Sequence, residues 1–272
     1  MNNSEKTYTL ITGAGSGIGR ALAVNAAQRG WNLILIALPG EGLDQLSEKL
    51  KKEYKIDVRF SEMDLTEPEA PLKVYRWCQN RRLKVNRLVN NAGVISSGRP
   101  FEEDSYTFYE KMIGVNVVAV TLLTRVFLPE LKKHSHACIL NVGSTGSFIP
   151  FPYKTVYGAT KSFIYSFTMA LREELRESQV KVSALCPGSI PTNRKIRKRT
   201  EKAGWLWKIS ILQADQVARI GLDSMEKNRR LTVPGCVNKF YKNLCLILPI
   251  FIKMRIMTLV FKKMISQSLA HS

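Results

Sequence analysis

The order of its segments predicts an α/β fold in which a parallel sheet carries helices on both faces. Short apolar runs alternate with longer amphipathic stretches along most of the 272 residues. A glycine-rich turn joins the first run to the first such stretch, and the runs are apolar along their length, as strands covered on both faces are. Strands and helices of these lengths in alternation build parallel βαβ units. A hydrophobic content of 45% suffices for one large core.

In order, Thr7–Thr12 (TYTLIT) is the first strand, GAGSGIG the turn, and RALAVNAAQRG a helix that Gly30 ends. Asn32–Leu38 is a second strand, followed by the turn Pro39, Gly40 and a helix with Leu43, Leu46 and Leu50 on one face. A third strand runs over Asp57–Phe60 and a helix from about Pro68 to Leu83; Arg87–Val89 then opens a fourth strand, with Asn90, Asn91, Ala92 and Gly93 beyond it. A long apolar helix, roughly Ser105–Lys133, carries Asn116 in its middle, where a buried amide needs partners. A strand ending near Val142, a helix over about Thr155–Ser178 and a strand over Val180–Cys186 complete the alternation.

The five cysteines form no CxxC and no metal-ligand spacing, and Cys138 and Cys186 lie inside apolar runs, so they read as reduced core residues of a cytosolic protein. His134, His136 and His271 are too few and too badly spaced for a metal site. The polar lead Met1–Thr7 lacks the apolar stretch of a cleaved signal peptide. The net charge of +19 is concentrated: Arg194–Lys202 carries a net +5 and Lys239–Lys263 a net +6. Each run is either a solvated face or a seat for anions, and no nucleic-acid recognition motif accompanies them.

Chemistry gathers in Ser144–Lys161, STGSFIPFPYKTVYGATK. Tyr157 and Lys161 stand four apart and share a helix face, so an ammonium near the phenol favours phenolate and lowers its pKa from about 10. Alone, such a pair is also an ordinary surface pair. Ser144 follows a buried strand, so its hydroxyl projects where open α/β sheets bind ligands. The glycines at 13, 15, 17 and 19 permit positive φ and let backbone N–H groups approach a pyrophosphate.

Taken together, Thr12, Gly13, Gly17 and Gly19, Asp64, Asn90 to Gly93, Asn116, Ser144, Tyr157 with Lys161, and Pro187, Gly188 and Thr192 make a chain that strongly resembles the classical short-chain dehydrogenases/reductases, from about Thr7 to Gly235. The resemblance implies a Rossmann-like doubly wound sheet and hydride transfer between a nicotinamide cofactor and a carbonyl or alcohol. Tyr157 would be the proton donor or acceptor and Lys161 its activator and ribose ligand. Ser144 would polarise the carbonyl, and Asn116 would hold a water that relays protons to Lys161. The cofactor would be bound by Thr12, Gly13, Ser16, Gly17, Ile18, Gly19, Leu38, Asp64, Leu65, Asn90, Ala92, Gly93, Tyr157, Lys161, Pro187, Gly188, Ile190 and Thr192. Among these, Asp64 and Leu65 would hold the adenine, and Ile190 and Thr192 the carboxamide. Leu38 stands where an acid would accept the ribose hydroxyls of NAD, which points to NADP, with NAD open because Glu41 could turn back towards the ribose.

The loop Phe148–Tyr153 is more apolar than a connection requires, and it either lines a pocket or covers the active-site helix. It is similar to family members that act on fatty acyl chains or sterols. The expected activity is therefore reduction of a ketone, or oxidation of a secondary alcohol, on a lipid-like substrate; the rival is a non-catalytic, nucleotide-gated binding protein on the same fold. The expected organisation is one domain over 1–238, with a substrate lid at about 189–212, and an amphipathic basic tail over 239–272. In that tail Arg255, Thr258, Lys262 and Ser266 make one polar stripe. The tail either contacts an anionic membrane or packs on the subunit. A homodimer or homotetramer, cytoplasmic and peripheral at the inner membrane face, is the expected state.

Overall fold

A computed structural model of the chain describes residues 6–190 and 211–269, and side chains as far as Leu259. Seven strands form one sheet in the order β3-β2-β1-β4-β5-β6-β7: β1 (Thr7–Thr12), β2 (Asn32–Ala37), β3 (Val58–Glu62), β4 (Lys84–Asn90), β5 (Ala137–Val142), β6 (Val180–Leu185) and β7 (Leu231–Thr232). Every neighbouring pair is parallel. Parallel strands need crossovers, and the helices that supply them cover both faces, as expected from the sequence. On one face α1 (Gly17–Gln28), α2 (Leu43–Tyr54) and α7 (Ala214–Glu226) bury Leu22, Leu46 and Leu222 with Leu33, Leu35 and Leu140 of the sheet. On the other, α3 (Ala70–Asn80), α5 (Val120–Leu131) and α6 (Thr155–Glu174) bury Val74, Phe127 and Leu171 with Leu10, Leu88 and Ile139.

Several elements differ from the sequence expectation, among them the fourth strand, which opens at Lys84 and not at Arg87, and α6, which ends at Glu174 and not near Ser178. The third strand lies one residue later and runs longer; at Asp57 the carbonyl still accepts from Leu33 N–H at 2.9 Å, but the backbone N–H donates to Asn32 Oδ1 at 2.9 Å in place of a strand partner, and the carboxylate accepts from Tyr8 at 2.7 Å. The helix after it begins only at Ala70, since Glu69 sits in the left-handed region at φ 57° and Pro71 occupies the first turn. The long helix is interrupted. α4 (Tyr106–Ile113) passes through a π turn at Gly114–Ala119 into α5, and Asn116 lies in that turn. Among the described residues, Tyr106–Leu131 is also the one helix long and apolar enough to cross a membrane, but its inner face is core: Leu123, Phe127 and Leu131 are buried.

Beyond the sheet the chain forms α8 (Cys236–Ile247) and α9 (Ile250–Leu269), parted at Pro249. The turn is sharp because proline cannot continue the ladder.

The clamp at Asp57 ties the starts of β1 and β3 to each other. Burial alone would raise its carboxyl, but hydrogen bonds from Lys6, Tyr8 and Arg59 outweigh this and bring it down to about 2 from an ordinary 3.8. A lowered carboxyl stabilises the fold above its unfolded value, and the contribution vanishes as pH falls through the folded one. Asp57→Asn is therefore expected to cost about 2 kcal/mol at pH 7. The difference from the parent should shrink to nothing between pH 3.8 and about 2, as urea unfolding at a series of pH values would measure.

Candidate active site

The sheet order reverses between β1 and β4, and the ends of these two strands are held together by backbone. Thr12 Oγ1 accepts from the N–H groups of Asn91 at 3.0 Å and Ala92 at 3.1 Å. Asn91 Nδ2 donates to the carbonyls of Thr12 at 2.9 Å and Gly13 at 3.2 Å. Asn91, absent from the residues expected to bind cofactor, is thus what fixes the glycine turn; its neighbours Thr12 and Ala92 were the signal that could have found it. Gly13 has φ +64° and a Cβ there would lie 2.8 Å from Ala92 Cα, while a Cβ at Gly19 would overlap the Gly13 carbonyl. The turn leads into α1, whose N-cap residue Ser16 is exposed and makes no side-chain cap, and no acid stands in the first turn. Uncapped N–H groups at a positive helix end, beside a surface where side chains are excluded, fit a pyrophosphate.

Around that cradle the remaining expected residues separate. Leu38 is half-buried just past β2, Ile18 packs on the α1-side core and Leu65 is buried in the other. Asp64 accepts from the backbone N–H and hydroxyl of Thr66 at 2.9 and 2.7 Å and lies 3.6 Å from Lys111. Glu41 does turn back: a Cβ built on Gly15 would strike its carboxylate, so the acid lies against the glycine turn. Asn90 points its carboxamide into the core, donating to Thr124 at 3.1 Å and Asn141 at 2.8 Å. Ile190 is likewise buried with its side chain in the core. Thr192 and most of the expected lid lie outside the described residues.

Ser144, Tyr157, Lys161 and Asn116 converge at the ends of β4 and β5. β5 is buried along its whole length and ends two residues before Ser144, which caps a 3-10 turn at Thr145–Phe148 by accepting from Gly146 N–H at 3.1 Å. Ser147, not singled out from the sequence, donates to the Lys161 carbonyl at 2.7 Å and so ties this turn to α6. Lys161 is buried and its Nζ donates to the Val142 carbonyl at 3.1 Å, while lying 5.9 Å from the centroid of the Tyr157 ring. Gly93 fits between: a Cβ there would lie 3.2 Å from Asn116 Oδ1 and 3.4 Å from Lys161 Nζ.

One expectation is corrected here. Burial pushes the Tyr157 phenol up, with the neighbouring Ser144 hydroxyl acting against it. The shift falls instead on Lys161, which burial lowers to about 8. The Asn116 carboxamide accepts from Val94 N–H at 2.8 Å and donates to the Val94 carbonyl at 3.1 Å and Thr160 at 3.0 Å. It therefore locks the strand end to the π turn, with the second lone pair of Oδ1 left over.

Residues 7–203 match a family model described as short chain dehydrogenase. The chain belongs to that family. This short-chain dehydrogenase is 32% identical over 197 residues to the very-long-chain 3-oxoacyl-CoA reductase of Macaca fascicularis, covering 71% of this chain and 62% of the relative. It thus spans less than two thirds of that protein's length. It is 35% identical over 184 residues to sulfoacetaldehyde reductase 2 of Chromohalobacter salexigens, covering 67% of this chain and 72% of the relative. Among solved structures it superposes on a short-chain dehydrogenase from Sphingobium yanoikuyae in complex with NADPH, with a TM-score of 0.73, 28% identity and coverage of 89% and 96% of the two chains.

The cradle carries its own test. In Gly19→Ala the added methyl cannot coexist with the Gly13 carbonyl. NADPH affinity, read by fluorescence titration of the folded variant, is expected to fall by roughly tenfold or more because the turn must move off the helix end.

Proposed function

We propose that this chain is an NADP(H)-dependent oxidoreductase that interconverts a ketone and a secondary alcohol on a lipid-like substrate, a 3-ketoacyl chain or a sterol. The observation that carries the proposal is the meeting of Ser144, Tyr157 and Lys161 beneath an apolar loop, in which Phe151 packs against Gly146 and Gly158. The cofactor, when bound, supplies or accepts the hydride at the substrate carbon. Ser144 donates to the carbonyl oxygen and Tyr157 gives it a proton, leaving a phenolate that the Lys161 ammonium stabilises. Asn116, whose carboxamide lies beside Gly93 and Lys161, holds a water that relays protons towards Lys161.

On this reading, residues 1–238 are the nucleotide-binding and catalytic domain, about 189–212 the lid, and 239–272 a tail that contacts an anionic membrane peripherally, at its cytoplasmic face. The 3-oxoacyl-CoA reductase activity for which the Macaca relative is named supports the acyl-chain substrate. A homodimer or homotetramer is supported by the apolar surface of α4 to α6, where Ile113, Val118, Leu122 and Phe163 are exposed. A second reading for the cofactor, NAD, is favoured by one observation: the Glu41 carboxylate against Gly15 would repel a 2′-phosphate.

Three measurements test these assignments. Tyr157→Phe is expected to lower kcat for a long apolar ketone by roughly a thousandfold while NADPH still binds; equal turnover by the variant overturns the role of the phenol. In the reducing direction kcat should decline as pH rises through about 8, where Lys161 loses its proton, and Lys161→Arg should remove that limb. Glu41→Gln should lower KM for NADPH by roughly tenfold and leave KM for NADH unchanged if the carboxylate faces the 2′ position.

A further inference from the structure

The substrate loop has a second neighbour besides the catalytic helix. Ile149, Phe151 and Tyr153 pack with Tyr241 and Cys245 of α8 and Met257 of α9 in a small apolar cluster separate from the two cores of the sheet. Cys245 and Met257 are buried, and the Tyr241 hydroxyl donates to Met257 Sδ at 3.7 Å. At its start α8 also meets the loop after β6, where a Cβ on Gly188 would lie only 2.7 Å from Asn238 Nδ2. The inner side of α8 and α9 is therefore seated on both loops that leave the strand ends beside Ser144.

The outer side has the opposite character. Ile247 is 80% exposed, Phe240 70%, Leu259 69% and Phe251 65%. Lys239 and Arg255 are exposed among them, with Lys242 and Lys253 half-exposed, and no acid follows Glu226 anywhere in the chain. Apolar side chains ringed by cations, with no carboxylate, match an anionic lipid surface, which takes up the first and neutralises the second. A second copy of the chain would bring the same cations face to face, and so does not complement this surface.

We propose that α8 and α9 seat the protein on an anionic bilayer and form the joint through which the loop after Ser144 opens towards the lipid phase, so that an apolar ketone enters the site from the membrane. The entry of substrate rests on the reductase reading given above; the seat and the joint do not.

The full chain is to be sedimented with phosphatidylcholine vesicles with and without about 30% phosphatidylserine. Binding is expected to be roughly tenfold stronger with the anionic lipid and to fall by a similar factor in Ile247→Asp/Phe251→Asp. That variant should turn over a short water-soluble ketone as the parent does, yet reduce a long-chain ketone dissolved in the vesicles roughly tenfold more slowly. Amide exchange over residues 145–153 should slow when the parent binds anionic vesicles and stay unchanged in the variant. Equal vesicle binding by parent and variant overturns the seat, as does self-association that the double substitution abolishes while neither protein binds lipid. Unaltered exchange over 145–153 in the bound parent overturns the joint. Absence of turnover on every ketone counts against the reductase reading, while sedimentation and exchange still decide the rest.

Discussion

A lysine ammonium held away from water constrains everything around it. Burying a charge is costly unless it is hydrogen-bonded, and an ammonium has three donors to satisfy. Lys161 places one of them on the carbonyl of Val142, the last residue of β5, the one protein hydrogen bond that holds the ammonium among the described residues. The strand end cannot move without stranding the ammonium, and the turn after it cannot move without breaking the bond from Ser147 to the Lys161 carbonyl. Ser144, lying between these two ties, is thereby fixed relative to Tyr157, one helical turn before Lys161. The position of the hydroxyl that would meet substrate thus follows from the solvation of a charge, and not from any contact of its own with the core.

The same logic extends beneath the site. Asn90, Asn141, Thr124 and Thr168 form a buried polar chain that joins β4 and β5 to α5 and α6. A satisfied buried hydrogen bond adds only about 1 kcal/mol net, but breaking one leaves a polar group unpaired at about 1–3 kcal/mol. Such a chain contributes little to overall stability and much to register, since any slip of β4 against β5 unpairs several groups together. Register is what the site needs, because Gly93 leaves β4 to pass between Asn116 and Lys161, where even a methyl group would be within 3.4 Å of both.

How much of this the sequence disclosed depended on the kind of signal. The strands that are mostly apolar runs were legible, and Thr7–Thr12 and Val180–Leu185 fall within a residue of where the pattern puts them, whereas the two-residue β7 left no pattern to read and the mixed β3 and β4 were placed only roughly. Tyr157 and Lys161 were legible from spacing and Ser144 from its place after a buried strand, whereas the role of Asn116 came from the resemblance to the family. Helix limits at Glu69 and at the π turn were not, since they depend on backbone conformations that any of several residues could adopt. Nor could sequence assign roles within the site: Asn91 and Ser147 act through bonds to main-chain carbonyls far away in the chain, and such bonds leave no periodic trace. The direction of the Tyr157 shift was misjudged for a physical reason. Spacing reports that a cation is near, whereas the balance between its field and the loss of water depends on depth, which spacing does not contain.

Charge is the property that fold and site leave unexplained, and its placement is not random. All 22 acids precede residue 227, so the chain beyond them carries nine bases and no counter-charge. A solvated surface gains nothing from such segregation, because mixed signs serve solubility equally well and avoid self-repulsion. Segregation does create a field with a direction. Six of those nine bases lie on α8 and α9, which pack against the loops at the strand ends. An anionic surface approaching from solution would therefore meet the molecule with its substrate loops turned inward, before any apolar contact forms. On the proposed seat, orientation by long-range charge and retention by short-range burial would act on the same pair of helices, and that coincidence would place the proposed reaction on apolar molecules at the side from which they arrive.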